Sequence, residues 1–247
     1  MLTLEHVTKV FTITDGSSLE TIRDISLTVP EREFVAFVGP SGCGKTTLLK
    51  LIAGLEKPTQ GRIVFEGRDV SSTNRERGMV FQEFALFPWL TVSDNIAFGL
   101  RLRKENNEKI DSVVSRYLKL TSLEQFKDSY PHTLSGGMQQ RVAIARTLAN
   151  KPKILLLDEP FGALDTQTRS HMQEFLSDLW EEEHKTVVLV THDIGEALFL
   201  SDTVYILSSR PTIIRGKFDV TFDRPRKHEL KFSSAFLHMK KEISDLF

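Results

Sequence analysis

Gly39-Pro-Ser-Gly-Cys-Gly-Lys-Thr46 constrains this chain more than any other stretch. The apolar run Glu33–Val38 before it reads as a buried strand, and Thr47–Ala53 after it reads as a helix. Strand, glycine-rich loop and helix in that order form a phosphate cradle. Gly39, Gly42 and Gly44 let the backbone curl so that successive N–H groups face one point, and the helix start adds partial positive charge. Lys45 is placed to reach β- and γ-phosphates, and the Thr46 hydroxyl to ligate Mg²⁺. Pro40, Ser41, Cys43 and Thr47 complete the predicted contact set. A chain with this motif is expected to be of the α/β class.

The remaining composition narrows the class. At 247 residues with net charge −1, the chain suits one large α/β domain with room for an inserted lobe. The charge balance gives no reason to expect a nucleic-acid surface. Cys43 is the sole cysteine, which excludes an intrachain disulfide and suits a reducing compartment. Because it sits inside the loop, its alkylation is expected to block activity, with nucleotide protecting it. No apolar run approaches the ~20 residues of a membrane span, and Met1-Leu-Thr-Leu-Glu-His lacks the pattern of a signal peptide. Any membrane role is therefore expected to come through a partner.

Residues 2–30 read as strands with a turn at Asp15-Gly16. Phe11 within them is either a sheet-packing aromatic or a platform for an adenine ring. Gly54 and Pro58 end the loop's helix. Gly61–Gly67 is a strand and turn, and Gly78–Glu83 a short strand ending at Gln82, whose amide oxygen could serve a metal or a water. The segment 85–150 has no strand signal and reads as a helical lobe. It begins with the aromatic loop Phe84-Ala-Leu-Phe-Pro-Trp-Leu90, and Thr91 and Ser93 cap a helix from about Asp94. Phe87 and Trp89 are core of that lobe or an exposed docking surface.

Leu134-Ser-Gly-Gly-Met-Gln-Gln140 opens a further helix. Ser135 is a natural N-cap, and Gly136 and Gly137 leave its free N–H groups open to an anion. Two anion-binding helix starts are more than one nucleotide per chain needs. Ile154-Leu-Leu-Leu157 is the continuous apolar run of a central parallel strand. It brings Asp158 and Glu159 to its carboxyl end, where ligands bind in open α/β sheets. Asp158 would hold Mg²⁺ and Glu159 would polarise an attacking water. Ala163-Leu-Asp165 leads into an amphipathic helix. Thr186–Thr191 is the next buried strand, and it delivers His192 to the same edge. Gly195 in the helix beyond costs about 1 kcal/mol against alanine, and nothing in the sequence explains it. The other histidines (His6, His132, His171, His184, His228, His238) have no metal-ligand spacing. Asp202–Ser208 reads as the last strand. Phe232, Phe236, Met239, Ile243 and Leu246 fall on one stripe of a C-terminal helix.

Taken in order, Gly39–Thr46, Gln82, Leu134–Gln140, Ile154–Pro160, Ala163–Asp165 and His192 resemble the ATP-binding cassette (ABC) family over nearly the whole chain. The resemblance implies a P-loop NTPase core with an N-terminal antiparallel β subdomain and an inserted helical subdomain. Its implied boundaries are 1–84 and 151–217 for the core, 85–150 for the helical part and 218–247 for a C-terminal helical extension. Gly39–Thr46 then matches the Walker A motif, Ile154–Glu159 the Walker B, Gln82 the Q-loop and His192 the switch histidine. Phe11 matches the adenine-stacking aromatic. Two cassettes meet head to tail in this family, with each ATP and its Mg²⁺ between one chain's Walker A and the other's Ser135, Gly136, Gly137 and Gln139. Thr46, Gln82 and Asp158 would hold the metal.

Gln82-Glu followed by Phe87-Pro-Trp89, Asp158–Asp165 and Ser209-Arg-Pro211 are similar to importer ATPases of the nitrate/sulfonate/taurine/bicarbonate type. The implied partners are a second ATPase subunit, permease subunits docking near Phe84–Leu90 and, indirectly, a solute-binding protein. The implied place is peripheral, on the cytoplasmic face of the inner membrane. An exporter or lipid-moving complex is the alternative. A soluble ABC ATPase is a more distant one, since that class usually carries two cassettes or a long coiled-coil insertion.

Overall fold

Why the apolar runs become strands is visible in how they divide. In the computed structural model, which describes residues 1–14 and 16–246, the chain begins with β1 (Leu2–Thr12) and β2 (Ser18–Val29), a long antiparallel hairpin paired from Leu2↔Val29 to Thr12↔Ser18. The predicted turn includes Asp15, which lies outside the described residues. β3 (Phe34–Val38) leads into the phosphate loop and α1 (Lys45–Ala53), which ends on Gly54 in the left-handed conformation. β4 (Gln60–Phe65) and β5 (Arg68–Asp69) return to the first sheet, giving the order β2-β1-β4-β5.

β6 (Arg77–Val80) stops two residues before Gln82. Then come α2 (Val92–Leu102), α3 (Asn107–Leu120) and α4 (Gly136–Leu148), capped by the Thr91, Asn106 and Ser135 side chains respectively. β7 (Ile154–Asp158), α5 (Thr166–Glu183), β8 (Thr186–Thr191), α6 (Ile194–Leu200) and β9 (Thr203–Leu207) follow.

The second sheet has the order β10-β9-β3-β8-β7-β6 and is parallel except for β10 (Ile214–Asp219). Its central strands are buried on both faces, and alternation sends their residues to different layers. Val35 and Phe37 of β3 and Ile154 and Leu156 of β7 join α1 and the first sheet. Phe34, Ala36, Leu155 and Leu157 join the layer of α2 to α6. α1 is thus held between the two sheets by Leu48, Leu49, Leu51 and Ile52, each without exposed surface.

Two expectations need correction. Asp202–Ser208 is not the last strand: β10 pairs antiparallel with β9 at the sheet's edge. Its half-buried Ile214, Gly216 and Phe218 alternate with exposed Arg215, Lys217 and Asp219. Those charges protect an open edge, and they also dilute the apolar signal. The C-terminal stripe is shorter than expected. α7 (Ser234–Ser244) buries Phe236 and Ile243 with Met239 against them, while Phe232 is 71% exposed before its start and Leu246 lies beyond its end.

Candidate functional site

Parallel strands deliver their carboxyl ends to one edge, and the register places the predicted residues there. Val38 of β3 is level with Thr191 of β8, and Asp158 of β7 with Val190. The loop after β3, Asp158-Glu159 and His192 therefore converge. A cavity of about 320 Å³ opens above them, walled by Phe11, Leu19, Thr21, Gly42, Gly44, Lys45, Thr46, Thr47, Glu159 and Arg210.

The loop's shape depends on its glycines at two positions. Gly42 and Gly44 have φ of +75° and +127°, a region that side chains avoid. A Cβ on Gly44 would also lie 2.9 Å from Thr21 Cγ2. Pro40 and Ser41 form the exposed rim. The Cys43 thiol points the other way: it is 2% exposed and belongs to the apolar layer around α1. The structure thus places the thiol away from the cradle in which its alkylation was expected to act.

Lys45 is 4% exposed, and its ammonium donates to the Gly39 and Pro40 carbonyls at 2.9 and 3.0 Å. It also lies 3.2 Å from Glu159 Oε1. The Thr46 hydroxyl donates to Asp158 Oδ1 at 2.9 Å. Burial pushes the Asp158 carboxyl above its usual range; the Thr46 hydrogen bond opposes that and neighbouring Glu159 adds to it. An adjacent cation relieves this penalty. The other Glu159 oxygen, Oε2, is 3.0 Å from His192 Nδ1, so the carboxylate bridges lysine and histidine. Glu159 has φ of +42°, and its N–H is fixed to the Val190 carbonyl at 3.0 Å. A non-glycine residue held there costs about 1–3 kcal/mol.

Phe11 lines the cavity, with the Lys9 ammonium 4.6 Å from its ring centre. Gln82 is exposed, beyond the strand that was expected to end on it, and its side-chain amide approaches Gly162. Among the described residues no cluster of three His, Cys, Asp or Glu could hold a metal. The hard oxygens of Thr46 and Asp158 nevertheless suit magnesium, which typically takes one or two protein oxygens and completes its shell with phosphate and water.

The second anion-competent helix start stands apart. Ser135 accepts from the Met138 N–H at 3.3 Å, and Gln139 Nε2 donates to the Leu134 carbonyl at 3.1 Å. Ser135 and Gly137 line a different depression with Arg141, Thr168 and His171, and none of the phosphate-loop residues borders it. Gly137 is required by contact, because a Cβ there would lie 2.6 Å from Thr168 Cγ2.

Phe84–Leu90 divides between the two expectations. Phe87 packs on Phe98 with ring centres 4.3 Å apart, while Trp89 is 70% exposed. A groove of about 410 Å³ runs beside them, bordered by Met79, Phe81, Phe87, Phe98 and Arg146. Arg146 holds the loop by donating to the Ala85 and Phe84 carbonyls.

Sequence reasoning missed several contributors. Thr21 and Leu19 were read only as strand residues. Glu196 is buried; it accepts from the Thr191 hydroxyl at 2.7 Å, and Asp193, next to His192, caps its N–H. A Cβ on Gly195 would press to 3.0 Å from that Asp193 oxygen, which accounts for the helical glycine. Arg210 reaches the cavity from beyond β9. In the sequence it stands in Ser209-Arg-Pro211, a stretch that marks the importer subtype but says nothing of the cavity.

A family model described as "ABC transporter" matches residues 22–162. The chain is 43% identical to the nitrate import ATP-binding protein NrtD of Synechocystis sp., over 99% of this chain and 94% of that one. It is 42% identical to the taurine import ATP-binding protein TauB of Ruegeria pomeroyi, over 98% and 92%. Among solved structures, it resembles the dimeric post-hydrolysis state of the ATP-binding cassette MJ0796 bound to ADP and Pi. That match has a TM-score of 0.78 and 34% identity, covering 90% of this chain and all of that one.

Proposed function

This chain belongs to the ABC transporter family, and from that premise we propose that it is the ATP-binding and ATP-hydrolysing subunit of an importer for a small solute of the nitrate, sulfonate, taurine or bicarbonate kind. The relatives named for nitrate and taurine import support the importer reading. The observation that carries the mechanism is the separation of the two anion-competent helix starts. Lys45, Thr46 and Glu159 border one cavity, and Ser135 and Gly137 another. One chain thus offers two half-sites, and two chains placed head to tail offer two whole ones. The dimeric cassette with ADP and Pi supports that arrangement.

In this reading Phe11 stacks the adenine, the amides of 39–47 and the Lys45 ammonium hold the phosphates, and the partner's equivalent of Ser135–Gly137 closes over the γ-phosphate. Thr46, Asp158 and Gln82 would hold magnesium, which when bound would supply positive charge to offset that of the nucleotide's phosphates. Glu159 accepts the proton of the attacking water, and His192, 3.0 Å from its Oε2, keeps the carboxylate oriented. Closure selected by ATP and reopening after hydrolysis drive the permease. The helical lobe at 85–150 receives the permease, along the groove beside Phe87 and the exposed Trp89. A solute-binding protein delivers cargo on the far side of the membrane, and this chain works at the inner face. Among the described residues no helix is long and apolar enough to cross a membrane, so attachment comes through the permease.

Glu159→Gln tests the reading. ATP binding is retained, turnover falls on the order of a hundredfold or more, and a nucleotide-bound dimer accumulates on size exclusion. Near-normal turnover in that variant, or a wild-type rate per chain that does not change as the protein is diluted to monomer, overturns it.

A further inference from the structure

Two carbonyls of the phosphate loop are held by residues that the nucleotide reading gives no role. Leaving β9, the chain runs Ser208-Ser-Arg-Pro-Thr212 alongside the loop. Arg210 Nη2 donates to the Gly42 carbonyl, and the Thr212 hydroxyl donates to the Cys43 carbonyl. Thr212 is wholly buried and is anchored to β2 from both sides. Its N–H donates to the Thr21 carbonyl at 2.9 Å, and its carbonyl accepts from the Arg23 N–H at 3.0 Å. Ser208 Oγ lies 2.7 and 3.0 Å from the Ser209 and Pro211 carbonyls and accepts from the Ile213 N–H at 2.9 Å. The segment is therefore a tight turn hung between the two sheets.

A trans peptide points its N–H opposite to its C=O. With the Gly42 carbonyl held by Arg210 and the Cys43 carbonyl by Thr212, the N–H groups of Cys43 and Gly44 point away from those two side chains. Gly44 lines the cavity, and the Cys43 N–H rests on the Pro40 carbonyl through a long 3.3 Å contact inside the loop. Released from these donors, either peptide could rotate and present a carbonyl oxygen to an anion. Glycines 42 and 44 leave little steric resistance to such a flip. Arg210 is exposed and also borders the cavity, so it adds a full positive charge at the mouth.

We propose that Arg210 and Thr212 are positioning residues for the phosphate site: together they hold two of the loop's carbonyls and fix which way its amides face. The inference rests on the nucleotide reading above and extends it to a segment outside the loop, the acid–base pair and the partner's helix start.

The test uses the full chain with Thr212→Val, Thr212→Ser, Arg210→Gln and Arg210→Lys. Thr212→Val and Arg210→Gln each raise the KM for magnesium-ATP about tenfold, the scale of one lost charge-assisted or buried hydrogen bond, while kcat falls less than threefold. Pyrophosphate, which has no base or ribose for Phe11 to hold, loses affinity in parallel with ADP. Thr212→Ser keeps the hydroxyl and restores the wild-type KM, and Arg210→Lys keeps the charge without the planar fork and falls between. Arg210 is at the surface, so Arg210→Gln folds and decides the matter if Thr212→Val does not. Unchanged KM and unchanged pyrophosphate affinity in Arg210→Gln overturn this positioning role. A wild-type chain that fails to bind ATP overturns the nucleotide reading instead.

Discussion

Replacing Asn95 by alanine should loosen the loop on which permease docking is proposed to depend, and the size of the effect can be worked out. Asn95 lies on α2 with no exposed surface. Its Oδ1 accepts from the Phe87 N–H at 3.0 Å, and its Nδ2 lies 3.0–3.2 Å from the carbonyls of Phe87, Leu90 and Thr91. An amide has two N–H donors, so those three carbonyls share two hydrogens, and the residue makes three bonds' worth of contacts. At about 1 kcal/mol net each, and with buried backbone groups left unpaired, the loss is about 3 kcal/mol. For a chain of this size 1 kcal/mol moves the melting temperature by about 2–4 °C, so Asn95→Ala should melt about 6–12 °C lower. Circular dichroism at 222 nm measures this.

Asn95→Asp is the sharper variant. It keeps an acceptor for the Phe87 N–H but sets a carboxylate against three carbonyl oxygens. Its melting deficit should grow as pH rises through the carboxyl's titration, whereas that of Asn95→Ala should not. In both variants the nucleotide cavity is untouched, so ATPase activity measured without the permease survives below the melt while stimulation by the permease is lost. An Asn95→Ala chain that melts within 2 °C of wild type refutes the idea that this side chain holds residues 87–91 in place.

Two further outcomes follow from burial. Iodoacetamide should label Cys43 in the native chain on the order of a hundredfold more slowly than in denaturant, because the thiol is reached only by opening the apolar layer around α1; rapid labelling with loss of ATPase, prevented by ATP, would return the thiol to the cradle. Glu196 is pushed from its ordinary 4.5 up to about 6, chiefly by burial, with the Thr191 hydroxyl bond opposing. The folded chain therefore binds this proton more tightly than the unfolded one. The associated stability is full below pH 4.5 and is lost as pH rises through 6, a difference of about 2 kcal/mol. Relative to Glu196→Gln, wild type should lose that much between pH 4.5 and 7, and a flat difference in denaturation midpoints across the range counts against it.

What could be read from the sequence and what could not are separated by the range over which each signal acts. Gly39–Thr46 is local: its glycines, its lysine and its flanking strand and helix sit within twenty residues, and the periodicity around them announces the elements. Ile154–Asp158 and Thr186–Thr191 are equally legible, because strands covered on both faces must be apolar throughout. Ser135 is readable as a cap for the same local reason. The contacts that shape the site from outside carry no such mark. Arg210 meets Gly42 across 168 positions, Thr212 meets Cys43 across 169, and Thr46 meets Asp158 across 112. Only the last pair was foreseeable, because both its members were already assigned to one metal. Cys43 makes the same point in reverse. Its place in the motif was plain, but whether its side chain faced phosphate or core depended on α1 lying between two sheets, and that was set by strands read separately. β10 failed for a third reason: as an edge strand it needs charge on its open side, and alternation with Arg215, Lys217 and Asp219 leaves only Ile214, Gly216 and Phe218 to signal it. Motif residues can thus be read one at a time, but the orientation of their backbone cannot, which is why the direction of the Gly42 and Cys43 peptides had to be found in the fold.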